Sequence, residues 1–226
     1  VECHNNETYI NPVSSGIPIA PVVMFVRWVY FLSICVLTKV NAETKAAIAH
    51  LISQNVTGSI VFTETSAGLR VSGSITGLAA GNYGFHVHEL GDTSSCDAAG
   101  AHFNPDNNVH GGRDDQVRHV GDLGNVVFVG ENTAVAAVDF VDNVIALQGR
   151  NSILGRTLVL HEQQDDLGQG GQQSSLTTGN AGPRVACGVI GIKSPAEPWN
   201  SGTTVSPLPV FYSLVIGLIF MFYIKY

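Results

Sequence analysis

Apolar and polar residues alternate with a period of two through much of the middle of this chain. Leu69-Arg70-Val71-Ser72-Gly73-Ser74-Ile75 shows the pattern most plainly. It is the signature of a strand with one buried and one exposed face. Other β-rich runs are Ser59–Thr63, Gly84–His88, Asn125–Val129, Ala134–Phe140, Val144–Leu147, Thr157–His161 and Val185–Ile192. Turn signals such as Ser66-Ala67-Gly68 and Ala80-Gly81-Asn82 separate them. Short strands at close spacing, without a sustained helical period, predict an all-β barrel or flattened sandwich of about eight antiparallel strands.

Two stretches break the alternation. Gly91–Leu123 is dense in Gly, Asp, Asn and His, and Glu162–Pro183 is rich in Gly, Gln, Ser and Thr. Loops this long inside a compact domain are usually functional. Both follow directly on a strand that carries histidine.

The ends follow another rule. Residues 28–37 form a short apolar run behind Arg27, and Val40-Asn41-Ala42 offers a small-residue cleavage site. Residues 24–42 therefore read as a signal peptide starting at Met24, with residues 1–23 as upstream sequence foreign to the native protein. An uncleaved anchor is the alternative, although the run is short for a span that needs about 20 residues. A linker, 196–206, leads to the apolar segment 207–226. Small residues, a polar spacer and an apolar tail give that end the order of a GPI-anchor signal, with a membrane-spanning anchor as the other reading. Either one tethers the domain, 43–195, to the outer cell surface.

Composition agrees with an exported all-β protein. Charged residues make up 13% of the 226 residues, Gly occurs 25 times, and the net charge of −7 argues against a nucleic-acid partner. Of the four cysteines, only Cys96 and Cys187 lie in the body of the chain, and a lone pair in a secreted protein is most simply a disulfide. Asn55-Val56-Thr57 is a glycosylation sequon.

The chemistry lies in the histidines. His86 and His88 are two residues apart on a predicted strand, so both rings fall on one face and Phe85 and Val87 on the other. His102, His110 and His119 lie in the first long loop, Asp122 closes it, and His161 ends a later strand. His50 stands alone and reads as a surface residue. Three imidazoles and a carboxylate satisfy a closed zinc site, and four imidazoles suit copper. Seven side chains serve two four-coordinate ions only if one ring is shared, and imidazole has two nitrogens to share.

These residues sit in the motifs GFHVHELGD (84–92), HFNPDNNVHGG (102–112), RHVGDLGNV (118–126), GRTLVLHE (155–162), DDLGQGG (165–171) and GNAGPRVACGVIGI (179–192). In these motifs, and in their order, the chain resembles copper,zinc superoxide dismutases over about residues 43–194. The resemblance implies a Greek-key barrel and conversion of superoxide to oxygen and hydrogen peroxide by a one-electron copper cycle. It implies copper on His86, His88, His102 and His161, and zinc on His102, His110, His119 and Asp122, with His102 as the bridge. Asp165 would link ligands of the two metals, and Arg184 would guide the anion. Cys96–Cys187 would pin the first loop to the last strand, and a homodimer would form through Gly188–Ile192 and Leu154.

The chain departs from the family in one place. Where relatives carry charged residues before Gly179, this loop has Gln173, Ser174 and Thr177. Sixteen acidic residues face eight basic ones between Glu43 and Trp199. Weak steering of an anionic substrate and a flat dependence of rate on salt are expected. A non-enzymatic copper,zinc-binding member, serving as a metal store, decoy or adhesion module, would be expected to lack a copper ligand or the arginine. A copper-delivery protein would carry extra Cys-x-x-Cys or Cys-x-Cys motifs. This chain keeps all of those ligands and the arginine, and has no such motif.

Overall fold

The computed structural model describes residues 44–196 and Trp199. The expected upstream sequence, signal peptide and C-terminal anchor, and most of the linker, lie outside the described residues. Nine strands follow in order: β1 Ala46–Ile52, β2 Thr57–Thr65, β3 Gly68–Thr76, β4 Gly81–His88, β5 Asp122–Val129, β6 Val135–Asp142, β7 Thr157–His161, β8 Arg184–Val189 and β9 Gly191–Ser194. The only helical pieces among the described residues are a 3₁₀ turn, Cys96–Ala99, and one α-helical turn, α1, Ser175–Thr178.

Every named pairing is antiparallel, and the strand order is β2-β3-β6-β5-β4-β7-β8-β1-β9. Because β2 also pairs with β1, eight strands close into a barrel and β9 adds to its outside edge on β1. Closure is uneven. β2 and β3 pair along their whole lengths, whereas β5–β6 and β1–β8 touch through only Phe128↔Ala136, Val129↔Val135 and Ile52↔Cys187. The barrel is therefore flattened into two well-bonded halves. Neighbours far apart in sequence, β3–β6 and β4–β7, give it a Greek-key order.

Alternation supplies the interior. Ile60 and Phe62 of β2, Leu69, Val71 and Ile75 of β3, Phe85 and Val87 of β4, and Leu158 and Leu160 of β7 pack together out of water. At about 25 cal/mol per Å² of apolar surface removed from water, this layer supplies the main drive for folding.

Three details depart from the alternation pattern. β1 was not legible, because its Ala-rich text, AAIAHLI, has low strand propensity; the small Ala47 and Ala49 nevertheless fill tight interior positions. Val144–Leu147 is not a strand. Asp142 Oδ1 accepts from the Val144 and Ile145 amides at 2.8 and 2.9 Å and turns the chain out of the ladder, while Ile145 and Leu147 still plug the core. Val185–Ile192 is two strands broken at Ile190, whose amide bonds to Arg156 O across the barrel end.

Candidate metal centre

The barrel builds the centre on its outer wall. Phe85 and Val87 point into the core, so alternation turns His86 and His88 to the outside, and on β7 the same rule turns His161 outward. All three are nevertheless buried, because the two long loops cover them. The first loop is threaded onto β4 by backbone bonds: Val87 N to Gly121 O at 2.9 Å, Phe103 N to Val87 O at 2.8 Å and Gly121 N to Phe103 O at 2.9 Å. A Cβ on Gly121 would sit 2.1 Å from Val87 O, so only glycine permits this approach. The threading brings His102 beside His88 in an isolated bridge, and sets Asp122 opposite His86.

Two four-residue sets result: His86, His88, His102 and His161, and His102, His110, His119 and Asp122. In each set one nitrogen or oxygen per residue lies within 4.8 Å of the others, and all the residues are buried. His102 belongs to both. Its Nδ1 lies 2.8 Å from Asp122 Oδ1 and 3.4 Å from His119 Nδ1, and its Nε2 is buried without a partner.

In His86, His88, His110 and His161 one nitrogen is anchored and the other faces the centre. His88 Nδ1 donates to Gly100 O at 2.9 Å and His161 Nδ1 to Gly182 O at 3.1 Å, leaving the two Nε2 atoms 3.3 Å apart. His86 Nε2 donates to Asp165 Oδ2 at 2.9 Å, and its Nδ1 is buried without a partner. His110 Nε2 donates to Asp165 Oδ1 at 2.8 Å, while its Nδ1 sits 3.0 Å from Asp122 without hydrogen-bond geometry. Orphaned buried nitrogens are costly unless something binds them. Six rings gathered in two sets, with Asp165 or backbone carbonyls holding the far nitrogens of His86, His88, His110 and His161, fit transition-metal ions.

Electrostatics point the same way. Burial pushes the His86 ring down to about 3 and the His161 ring down to about 4, with neighbouring His102 adding to each shift. Burial likewise holds His88 and His102 below the ordinary imidazole range. These rings keep free lone pairs at neutral pH, the form that binds metal. Burial works against charge on His110 too, but Asp122 and Asp165 outweigh it and raise the ring to about 9. Burial also opposes ionisation of Asp122 and Asp165, yet hydrogen bonds from their histidines hold both below the usual carboxylate range.

Sequence reasoning missed several supports. Asn125 clamps Asp165, its amide donating to Asp165 O at 2.9 Å while its Oδ1 accepts from Asp165 N at 2.8 Å. Gly179, at φ 61°, lets the second loop pass where a Cβ would lie 1.9 Å from Asp165 Oδ1. Arg118 Nη2 meets Asp142 Oδ2 at 2.5 Å in a buried pair. Arg118 and Asn125 both stand in the RHVGDLGNV text, but no periodicity marks them.

Arg184 opens β8 beside His161. Its guanidinium donates to Cys96 O at 2.7 Å and to Gly100 O at 2.6 Å. Cys96 and Cys187 form a disulfide, with Cα atoms 5.6 Å apart across a sequence separation of 91. His50, the one histidine of β1, is exposed and meets Ser59 Oγ at 2.9 Å.

An antiparallel barrel with two imidazole-rich sets joined through one ring has the build of a binuclear transition-metal redox protein. Residues 56–190 match the family model for copper/zinc superoxide dismutase (SODC). The chain belongs to that family; it is an oxidoreductase, a superoxide dismutase whose cofactors are copper and zinc. It is 47% identical over 161 residues to an extracellular superoxide dismutase [Cu-Zn] of Brugia pahangi, covering 70% of this chain and 80% of that protein. It is also similar to the crystal structure of the clock protein EA4, at 51% identity and a TM-score of 0.63, covering 66% of this chain and 94% of that one.

Proposed function

We propose that this protein converts superoxide to oxygen and hydrogen peroxide outside the cell by a one-electron copper cycle. His86, His88, His102 and His161 would hold copper, and His102, His110, His119 and Asp122 would hold zinc. The observation that carries the reading is the membership of His102 in both sets, with its Nε2 buried and unpartnered. When bound, copper supplies the reversible one-electron couple that zinc lacks. The chain does the rest. Asp165 orients His86 and His110 together, so the two sets keep a common geometry. Backbone carbonyls of Gly100 and Gly182 fix the tautomers of His88 and His161. Arg184, held by Cys96 O and Gly100 O, presents a fixed cation where an anion must dock.

Metal analysis with a superoxide assay tests this. One copper and one zinc per chain, with loss of superoxide, is the expected result. Protein that holds both metals and leaves superoxide untouched would instead be a cell-surface metal store, decoy or adhesion module.

Export is supported by the disulfide and by the likeness to a protein named extracellular. The signal peptide at 24–42 and a tether within 207–226 complete this reading; release of the protein from cells by a phosphatidylinositol-specific phospholipase separates GPI from a spanning segment. Asn55 is exposed in the bend between β1 and β2, where a glycan has room. Ile192 is exposed on the edge strand β9, which supports a homodimer through the Gly188–Ile192 segment and Leu154; equilibrium sedimentation tests it.

A further inference from the structure

Arg184 has a charged neighbour that the proposed reaction does not use. Asp97 stands in the 3₁₀ turn, its side chain 92% exposed, with Oδ1 3.8 Å from Arg184 Nε. The backbone of the same residue also serves Arg184, because Asp97 O lies 3.3 Å from Nη1. Asp97 is the only carboxylate within salt-bridge reach of Arg184 among the described residues. The later part of the second loop adds no cation beside it, since residues 167–183 contain no Lys, Arg, Asp or Glu. At ion-pair distance, the guanidinium therefore faces one anion, Asp97.

We propose that Asp97 is a specificity-determining residue that damps anion capture at Arg184, so that the approach to the centre is close to neutral. This inference rests on the functional reading above. An exposed carboxylate at this separation weakens, but does not cancel, the attraction of the guanidinium for a small anion. It also competes for Nε, the one guanidinium nitrogen that the backbone carbonyls leave free. Selection is by charge rather than shape, and acts on any small monovalent anion.

The test is azide affinity of the copper- and zinc-loaded protein, read from azide-to-copper charge-transfer absorption at low and high ionic strength. Asp97→Asn removes the charge and keeps the turn's backbone. It is expected to bind azide about fourfold more tightly at low salt, with the difference lost near 0.5 M salt, where the Debye length is only a few ångströms. Asp97→Glu should behave as the parent. Asp139→Asn, which makes the same change in net charge at an exposed position paired to Arg70 on β3, should stay within about twofold of the parent. The superoxide rate supplies a second readout: nearly flat with salt in the parent, and falling with salt in Asp97→Asn. Equal azide affinity for Asp97→Asn and the parent, or an equal gain from Asp139→Asn, overturns the inference alone. A loaded parent whose spectrum does not respond to azide overturns the functional reading with it.

Discussion

Arg118 and Asp142 form an ion pair with both side chains almost wholly removed from water. Arg118 Nη1 also donates to Asp122 O at 2.7 Å, and Asp142 Oδ1 caps the amides that follow it. The pair ties the end of β6 to the residues between His119 and Asp122. Breaking such a pair from one side leaves a buried, uncompensated charge.

Arg118→Met is therefore expected to cost about 3–5 kcal/mol of stability. Replacing both partners, Arg118→Met with Asp142→Asn, which removes the charge and keeps the Oδ1 that caps Val144 and Ile145, should recover part of that loss. Urea denaturation of the two variants measures the difference. Equal stability of the single variant and the parent would remove the argument for the tie.

Asp165→Asn keeps the shape of the side chain but cannot accept from both His86 and His110 as a carboxylate does. Loss of an orienting carboxylate typically costs 10–100-fold in metal affinity. A loss of about that size in zinc affinity, followed by chelator competition, is expected, with the barrel's far-ultraviolet circular dichroism unchanged. Undiminished affinity would mean that the rings are oriented by packing alone.

Opening the disulfide with Cys96→Ala and Cys187→Ala should act twice. A closed loop of this length contributes about 4–5 kcal/mol through the unfolded chain. The 3₁₀ turn also loses its anchor, and with it the carbonyls that hold Arg184. The expected result is a lower melting temperature together with a loss of activity larger than any loss of bound copper. Activity that simply tracks copper content would separate the turn from the arginine.

The metal-free protein should be most stable near pH 6.5. His86 and His161 have folded values of about 3 and about 4, below the ordinary imidazole value. As pH falls below about 6.5 the unfolded chain takes up protons that the folded rings refuse, so stability drops towards pH 4. His110 is raised to about 9, so its contribution is present below about 6.5 and is lost as pH rises towards 9. Melting temperatures of metal-free protein from pH 4 to 9 should trace this maximum. A flat profile from pH 6.5 to 4.5 would contradict it.

The parts of the site that lie on regular strands were readable from the sequence. His86 and His88 share a face because strand geometry leaves no other option, and His161 is carried by an unmistakable apolar run. His102, His110 and His119 could be listed as candidates, but their convergence depends on the threading of the loop through Val87, Phe103 and Gly121, which leaves no periodic trace. β1 was hidden because alanine serves the interior there by being small, whereas propensity reads it as a poor strand former. Val144–Leu147 misled for the opposite reason: its apolar residues do enter the core, but from a loop turned by Asp142. Asp97 could be seen as one aspartate among many, and its relation to Arg184 arises only when the turn and β8 meet.

One peptide oxygen, that of Gly100, receives both His88 Nδ1 and Arg184 Nη2. On the proposed reading, the cation that would draw the incoming ion and a ring that would hold copper are thus mounted on the same plate and come into register together. On that reading, a chain that has yet to close its first loop would offer neither a ready lure nor a finished ring, and immature copies would draw little of the substrate towards themselves before they could dispose of it.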